Sequence, residues 1–224
     1  RTAIAPATSA DWLANSARRD ISMTELILHG SPRSNYVRTC QIVLAEKGVA
    51  YTYDPVMPQT LEQLARHPWG KVPAMTHGDL ALYETLAITR YIDAAFDGPA
   101  LQPPTIEDRA RMDQWLSVFN AYLNPILGSS IAIERMLRKP SNEEKIAAAT
   151  PEAEKCLTML EKGLAGSEFL AGNRVTLADF FLVPTLDYLL QTPESEVLLS
   201  DTKNINSWLL RMMAMDSTKT VLLA

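Results

Sequence analysis

Residues 26–38 read LILHGSPRSNYVR, a short apolar run followed by a turn and the polar start of a helix. The apolar run predicts a strand over residues 24–29 that ends in the turn at Gly30-Ser31-Pro32. Over residues 35–47 apolar side chains recur mostly at helical spacing, and Gly48 ends the predicted helix. Residues 49–53 predict a second strand. The segment is therefore β-α-β, which favours a parallel strand pair.

The following residues extend this pattern into a small α/β domain. Residues 60–66 predict a short helix, and residues 72–76 and 80–83 predict an antiparallel hairpin around Gly78. Residues 85–95 return to helical spacing. The order βαβαββα places this domain at residues 23–97, and the Pro- and Gly-containing stretch 98–104 is typical of a linker.

From residue 105 the pattern is helical, which predicts an all-helical domain over residues 105–224. A long helix runs to about residue 137, and Pro125 should bend it or break it. Residues 141–164 and 204–213 predict further helices. Thr176-Leu177-Ala178-Asp179 is a capping box, with Asp in place of the usual Glu, before a helix over residues 180–190.

Residues 1–22 differ from the rest, because they are rich in Ala and Ser and lack a clear apolar period. We interpret them as an extension that is not part of the fold, with Met23 as the natural start. The alternative is an Arg-containing transit peptide, against which Asp11 and Asp20 count.

Composition excludes several classes of function. The 224 residues carry a formal net charge of -5, which counts against a nucleic-acid partner. No apolar run approaches the roughly 20 residues that span a bilayer, so we expect no membrane partner. The two cysteines, Cys40 and Cys156, form no CxxC pair and no metal-ligand spacing with the three histidines. We therefore expect no metal and a reduced, cytoplasmic location.

Three local patterns are candidates for chemistry. Ser34 stands at the start of the first helix, where free N–H groups and the helix dipole stabilise an anion such as a thiolate; it can equally be a simple N-cap, and the two roles are compatible. Val72-Pro73 opens a strand, either as an edge-strand proline or as a cis bond that turns the Val72 backbone toward a ligand. Glu84-Thr85 stands at a strand-to-helix junction, where Thr85 is the expected N-cap. Thr85 can also hold a carboxylate and Glu84 can accept from an ammonium group, or the pair can serve capping alone.

Taken together, these stretches resemble the cytosolic glutathione transferases that use serine. Residues 30–38 with Glu46-Lys47-Gly48 resemble that family's first loop and helix, and residues 67–74 (HPWGKVPA) resemble its N-P-x-G-x-V-P segment. Residues 82–88 (LYETLAI) resemble its L-x-E-S-x-A-I segment, and residues 173–179 resemble its capping motif. The likeness covers about residues 24–220.

The resemblance implies a thioredoxin-like α/β domain joined to an all-α domain, the glutathione transferase fold, usually as a homodimer. It implies glutathione as co-substrate and attack of the thiolate on an electrophile, with peroxidase activity as a further possibility. Ser34 would donate to the glutathione sulfur, and Val72, beside a cis Pro73, would pair with the cysteinyl part. Glu84 and Thr85 would hold the γ-glutamyl end, and Lys71 would lie near the glycyl carboxylate.

Departures from the family pattern bear on subclass. Asn35 stands where many relatives have Pro, and Thr85 replaces the commoner Ser, but both keep hydrogen-bond donors. The likeness is to a serine-type, phi- or theta-like bacterial member. The His-Lys pair that plant phi-type members carry after the second strand is not found, because residues 57–60 (MPQT) are shorter and different, so the subclass stays open. Two alternatives remain open: a non-catalytic glutathione-transferase-like module that binds protein partners, and a glutathione-dependent dehalogenase or ring-cleavage enzyme. No His–acid pair accompanies Ser34, so we expect a hydrogen-bond donor and not a nucleophile.

The acceptor pocket is the least defined part of the prediction. Tyr36, Trp115, Phe119 and Tyr122 are candidates to line it. The last three follow one another at helical steps, so they can equally form a packed helix face.

Overall fold

The computed structural model describes residues 24–223. The expectation of an extension at residues 1–22 followed by a start at Met23 concerns residues that lie outside this range.

Four strands form one mixed sheet in the order β2-β1-β3-β4. The strands are β1 (Leu26–His29), β2 (Thr52–Asp54), β3 (Ala74–His77) and β4 (Leu80–Tyr83). β1 and β2 are parallel, whereas β3 is antiparallel to both β1 and β4. The predicted parallel pair and the predicted hairpin are both confirmed.

The first helix, α1 (Asn35–Glu46), ends in a tight turn, and β2 begins later in the sequence than predicted. The Gly48 N–H donates to the Ala45 carbonyl at 3.0 Å, and the Val49 N–H donates to the Leu44 carbonyl at 2.9 Å. This is the Schellman pattern, in which Gly48 takes a left-handed φ of 66°. Val49 is therefore used to close the helix, and the second strand begins at Thr52 instead of Val49.

Two more helices complete the α/β domain, α2 (Leu61–Arg66) and α3 (Thr85–Ala95). α1 packs against α3. The fully buried Leu28, Met75 and Ile88 bring the sheet and these helices into one apolar core, so the helix starts are fixed relative to the strand ends.

The rest of the described chain is helical. It comprises α4 (Ile106–Leu137), α5 (Glu143–Gly163), α6 (Leu177–Leu190), α7 (Ser195–Leu198), α8 (Lys203–Ala214) and α9 (Asp216–Leu222). The short helices α7 and α9 were not predicted, because so few residues give no readable period. α9 lies on α1, and the Ser217 hydroxyl donates to Glu46 Oε2 at 2.6 Å.

Pro125 changes the winding of α4 without ending the helix. The helix is α-helical over Ile106–Val118 and Ile133–Leu137, and it is π-helical over Phe119–Ala132. Pro125, which has no N–H to donate, lies inside the wider segment. Of the two expected outcomes, a bend or a break, the break is wrong: the helix continues past Pro125 with a different hydrogen-bond pattern.

By length and hydropathy alone, α4 could cross a membrane, since it has 32 residues and a window of mean hydropathy 1.3. This corrects the expectation that no such stretch exists. Its apolar residues Leu123, Leu127 and Ile131 are buried, and this part of the helix packs against α5 and α6. Those contacts are typical of a core helix.

The capping box before α6 ties several elements together through the buried Asp179 carboxylate. This carboxylate accepts from the Thr176 N–H at 2.8 Å, the Leu170 N–H at 3.0 Å and the Trp208 indole N–H at 2.9 Å. Burial raises the pKa of Asp179, and these donors act against that rise. The predicted role of Asp179 at the start of α6 is confirmed, and the link to Trp208 on α8 extends it.

Candidate functional site

Ser34 is the N-cap of α1. Its φ and ψ are -89° and 121°, and its hydroxyl oxygen accepts from the Val37 N–H at 3.3 Å. Within residues 24–223, no acceptor receives the proton of this hydroxyl. A hydroxyl offers one donor and two lone pairs, so the capping role leaves the O–H free to donate to a ligand. The two roles proposed for Ser34 are therefore compatible in this geometry.

Gly30 brings the loop before Ser34 against Val72-Pro73. A Cβ placed on Gly30 would lie 2.4 Å from Val37 Cγ2, 3.3 Å from Val72 Cβ and 3.6 Å from Pro73 Cα. Real side chains do not approach so closely, and this position therefore needs glycine. The first loop and the Val72-Pro73 segment thus form one continuous surface.

The Val72–Pro73 peptide bond is cis, as the resemblance implied. The strand β3 begins at Ala74, so Val72 lies just outside the ladder. Within residues 24–223, neither the Val72 N–H nor its carbonyl has a hydrogen-bond partner. Both backbone groups are available for an extended ligand.

Glu84 has a φ of 71°, which is uncommon for a residue other than glycine. It is the N-cap of α3, and Thr85 is the first helical residue, so the sequence-based choice of Thr85 as the cap is wrong by one position. Backbone in this region is strained, and such residues concentrate at binding sites. Thr85 is buried at the start of α3, where the N–H groups have no partner within the helix.

A cleft of about 460 Å³ joins these segments to the helical domain. Its lining consists of Tyr36, His67, Lys71, Val72, Pro73, Glu84, Thr85, Leu86, Asn120 and Phe181. All five residues predicted to bind glutathione are among them, together with Tyr36. Ser34 is not part of the lining; it lies at the end of α1 that carries Tyr36.

Sequence reasoning missed His67, Leu86, Asn120 and Phe181 as cleft residues. His67 belongs to the HPWGKVPA motif, but roles were predicted only for Lys71, Val72 and Pro73 of that motif. Asn120 and Phe181 come from α4 and α6, and no local signal shows which of their faces meets the α/β domain. The place of Asn120 and Phe181 in the cleft depends on how the two domains pack together.

His67 lines the cleft but is almost fully buried, and its ring packs against that of Tyr83 at a tilt of 42°, with centroids 4.8 Å apart. Its Nδ1 accepts from the Trp69 N–H at 3.2 Å, which places the ring proton on Nε2. Nε2 is 3.7 Å from the Glu84 carboxylate. Burial lowers the pKa of His67, although Glu84 acts in the opposite direction. His67 is therefore a neutral support for Glu84.

Tyr36 is held by side chains of α4. Its hydroxyl donates to Asn120 Oδ1 at 2.8 Å and accepts from Asn124 Nδ2 at 3.2 Å. Burial, and then the charge of Glu84, raise the pKa of Tyr36 to about 12. Tyr36 therefore keeps its proton and already donates it to Asn120, which favours Ser34 over Tyr36 as the donor to a thiolate.

Asn35 explains one departure from the family pattern. It is buried, and its Nδ2 donates to Asn124 Oδ1 at 2.6 Å and to Thr185 Oγ1 at 2.7 Å. A proline at this position could not make these bonds. Asn35 therefore fixes the first turn of α1, and with it Ser34, against α4 and α6.

Of the aromatic residues proposed for the acceptor pocket, only Tyr36 lines the cleft. Phe119 is buried behind it and packs edge-on against Tyr36 and Phe181, at 5.8 Å and 5.6 Å between ring centroids. Trp115 lies against Gly163 of α5, since a Cβ there would meet its ring at 2.2 Å. Tyr122 is 60% exposed. Trp115 and Phe119 therefore belong to a packed helix face, which was the alternative to a place in the acceptor pocket.

In the part of the chain that the structure describes, no group of three or more His, Cys, Asp or Glu side chains is placed to hold a metal ion.

Comparison with known proteins agrees with this arrangement. Residues 28–100 match the family described as Glutathione S-transferase, N-terminal domain, and residues 115–216 match Glutathione S-transferase, C-terminal domain. Glutathione S-transferase F9 of Arabidopsis thaliana is 33% identical over 177 residues, which cover 75% of this chain and 82% of the relative. The probable glutathione S-transferase GSTF2 of Oryza sativa subsp. japonica is 30% identical over 208 residues, covering 89% and 96%.

Solved structures show the same fold over nearly the whole chain. Poplar glutathione transferase F1 superposes with a TM-score of 0.82 at 28% identity, covering 89% of this chain and 97% of its own. Glutathione S-transferase I from maize, in complex with an atrazine glutathione conjugate, gives a TM-score of 0.80 at 25% identity, covering 89% and 97%. Because sequence and fold agree across both domains, the chain belongs to the glutathione S-transferase family.

Proposed function

We propose that this chain conjugates glutathione to small electrophilic substrates and that the Ser34 hydroxyl stabilises the reacting thiolate. The observation that carries this proposal is the unused O–H of Ser34 at the N-terminus of α1. That terminus adds a partial positive charge and free N–H groups beside the sulfur.

The cleft supports a division of roles for binding glutathione. The free Val72 N–H and carbonyl would pair with the cysteinyl part, beside the cis Pro73. Glu84, at 64% side-chain exposure, would accept from the γ-glutamyl ammonium, while Thr85 at the start of α3 would hold the carboxylate. The exposed Lys71 would lie near the glycyl carboxylate.

The chemistry then follows from thiol acidity. A free thiol has a pKa of about 8.5 and is mostly protonated at neutral pH. Lowering this value by about two units corresponds to roughly 2.7 kcal/mol of differential stabilisation of the thiolate. The thiolate sulfur attacks an electrophilic carbon or a peroxide oxygen, and Ser34 donates a hydrogen bond without becoming a nucleophile.

Ligands bound to relatives support this substrate class. One related structure is glutathione S-transferase I bound with lactoylglutathione, with 25% identity and a TM-score of 0.80. The maize protein binds an atrazine glutathione conjugate. Glutathione S-transferase F9 and GSTF2 are both F-type plant proteins, which supports a phi-like subclass over a theta-like one.

We further propose a homodimer located in the cytoplasm and a domain boundary in residues 98–104. The boundary is supported by the end of α3 at Ala95 and the start of α4 at Ile106. The Asp93 carboxylate accepts from the Leu101 and Gln102 N–H groups at 2.9 Å and 3.1 Å, which anchors this linker to α3.

Affinity chromatography on immobilised glutathione, followed by conjugation assays on aryl halides and epoxides, tests the proposal. We expect retention, elution by free glutathione and turnover. Retention without turnover of any electrophile would favour the non-catalytic binding module. Failure to bind glutathione at all would refute the proposed function.

A further inference from the structure

Gln63 is a buried polar residue that lies behind the lining of the cleft. It stands in the middle of the short helix α2 and is 0% exposed. Its backbone N–H donates to the Thr60 hydroxyl at 3.2 Å, and its carbonyl accepts from the His67 N–H at 2.8 Å. Its side-chain Nε2 donates to the Lys71 carbonyl at 2.6 Å. Gln63 therefore ties α2 to the segment that lines the cleft.

A chain of charged groups fixes α2 to the sheet. Arg66 Nη2 lies 3.0 Å from Glu62 Oε1 on the same helix and 3.4 Å from Asp54 Oδ2 on β2. The same Asp54 oxygen accepts from His29 Nδ1 at 2.8 Å, and His29 is buried at the end of β1. A helix of six residues has little stability of its own. These contacts therefore hold Gln63 in place relative to the strands.

The hydrogen bond from Gln63 sets the direction of a backbone group at the cleft. The Lys71 carbonyl and the Val72 N–H belong to one planar peptide unit, and this unit is trans. In a trans unit the C=O and the N–H point in opposite directions. Because the carbonyl points to the buried Gln63, the Val72 N–H points away from it, toward the cleft that Lys71 and Val72 line.

The other half of the Gln63 amide indicates that this residue does more than pack. Its Oε1 is buried and has no hydrogen-bond partner within residues 24–223. A buried acceptor without a partner costs stability, and an apolar side chain of similar length would fill the same space without that cost. Departures of this kind concentrate at functional sites. What the amide supplies here is the donor to Lys71.

We propose that Gln63 is a positioning residue for glutathione: by holding the Lys71 carbonyl, it aims the Val72 N–H at the cysteinyl carbonyl of the bound tripeptide. The inference deepens the proposed function and rests on it. It adds to the site a residue that acts through the backbone of another segment and does not itself touch glutathione.

The first test replaces Gln63 by Met, which keeps the length of the side chain and removes the amide. The cysteinyl carbonyl does not react, so its bond to Val72 contributes equally to the ground state and the transition state. We expect KM for glutathione to rise about fivefold, while kcat and KM for an aryl halide stay within about twofold. Gln63→Asn, whose amide is one methylene too short to reach Lys71, should show the same rise.

Gln59 offers a matched control in the same part of the chain. Its Nε2 donates to the Trp69 carbonyl at 2.9 Å, so Gln59→Met also removes a bond from an amide to a backbone carbonyl. The N–H of that peptide unit belongs to Gly70 and already donates to the His67 carbonyl at 2.7 Å. Gln59→Met should therefore leave KM for glutathione unchanged. An equal rise in KM in the Gln59 and Gln63 variants, or a fall in kcat without a change in KM, would overturn the proposal.

A shortened ligand tests the hydrogen bond itself. γ-Glutamylcysteamine keeps the γ-glutamyl group and the thiol but lacks the cysteinyl carbonyl and the glycine. Its dissociation constant should be the same in the parent chain and in Gln63→Met, whereas that of glutathione should rise about fivefold in the variant. Equal rises for the two ligands would assign the effect to the general shape of the loop and would reject the proposal.

Failure of the proposed function gives a different result, because the parent chain then does not bind glutathione. The orientation of the peptide unit is in that case measured without ligand, from the ¹⁵N order parameter of the Val72 N–H. A lower value in Gln63→Met than in the parent chain and in Gln59→Met supports the positioning role. Equal values in all three proteins reject it.

Discussion

Replacing Ser34 removes the hydroxyl on which the proposed chemistry depends, and two variants separate that effect from helix capping. Ser34→Ala loses both the hydroxyl and the cap, whereas Ser34→Gly loses the hydroxyl but remains an acceptable cap. The capping bond from the Val37 N–H is long, at 3.3 Å. We therefore expect Ala to cost about 0.5–1 kcal/mol of stability and Gly only a few tenths.

The catalytic effect is larger and depends on pH. A hydrogen bond to a charged group contributes about 1.5–3 kcal/mol, or roughly one to two units of thiol pKa. With a shift of about two units from 8.5, about half of the bound thiol is ionised at about pH 6.5 in the parent chain, against about 1% in either variant. The thiolate population then falls by roughly fiftyfold.

Nucleophilicity opposes part of this loss, because a more basic thiolate attacks faster. With a Brønsted slope of about 0.4–0.5, two pKa units return roughly sixfold to tenfold in rate. The net loss in kcat is therefore about fivefold to eightfold near pH 6.5, and it vanishes at about pH 7.5–8. Above about pH 9.5, where both thiols are ionised, the variants should be faster than the parent chain by roughly sixfold to tenfold, because their thiolate is the more basic one.

The first assay is the pH profile of kcat with an aryl halide. The second is the pH dependence of absorbance near 240 nm, where thiolates in general absorb, measured on the glutathione complex. Ser34→Ala and Ser34→Gly should share one profile while differing in melting temperature. A rate deficit of the same size at every pH, or a bound thiol whose pKa does not move, would show that Ser34 does not stabilise the thiolate.

Two further predictions concern the supports of the fold and the cleft. Asp179→Ala leaves the Leu170, Thr176 and Trp208 N–H groups buried without their acceptor; we expect a loss of at least about 3 kcal/mol in urea unfolding, and a loss under about 1 kcal/mol would contradict this reading. Because burial lowers the pKa of His67 in the folded state, the unfolded state binds more protons below about pH 6.5, and stability should fall as the pH drops through and below that value. His67→Gln should flatten this part of the stability profile, and an unchanged slope would assign the acid sensitivity to other groups.

The first strand and helix could be predicted because their local signals agree. The apolar run at Leu26, the cap at Ser34 and the stop at Gly48 all specify the same strand, turn and helix. Where a residue had two possible uses, local reasoning failed. Val49 has strand composition but closes α1, and Glu84 takes the capping position that Thr85 was expected to hold.

The site was predictable only where it is built from consecutive residues. Val72-Pro73 and Glu84-Thr85 are short motifs, and both line the cleft. Asn120 and Phe181 reach the cleft from α4 and α6, so their proximity to these motifs depends on tertiary packing. Trp115 and Phe119 were chosen for their aromatic character, which indicates burial more often than it indicates a ligand.

Net charge says little about which small anions this chain can hold. The whole protein is acidic at -5, yet the cleft beside the N-terminus of α1 is lined by one cation, Lys71, and one carboxylate, Glu84, so its own charges balance. Exposed charges are screened beyond about 8 Å at physiological ionic strength, so the acidity of the surface as a whole weighs less on a bound thiolate than the dipole of α1 and the Ser34 hydroxyl beside it. Because the contribution of Ser34 is a short-range hydrogen bond, it should change little as salt is added, whereas the contribution of the exposed Lys71 to glutathione binding should weaken.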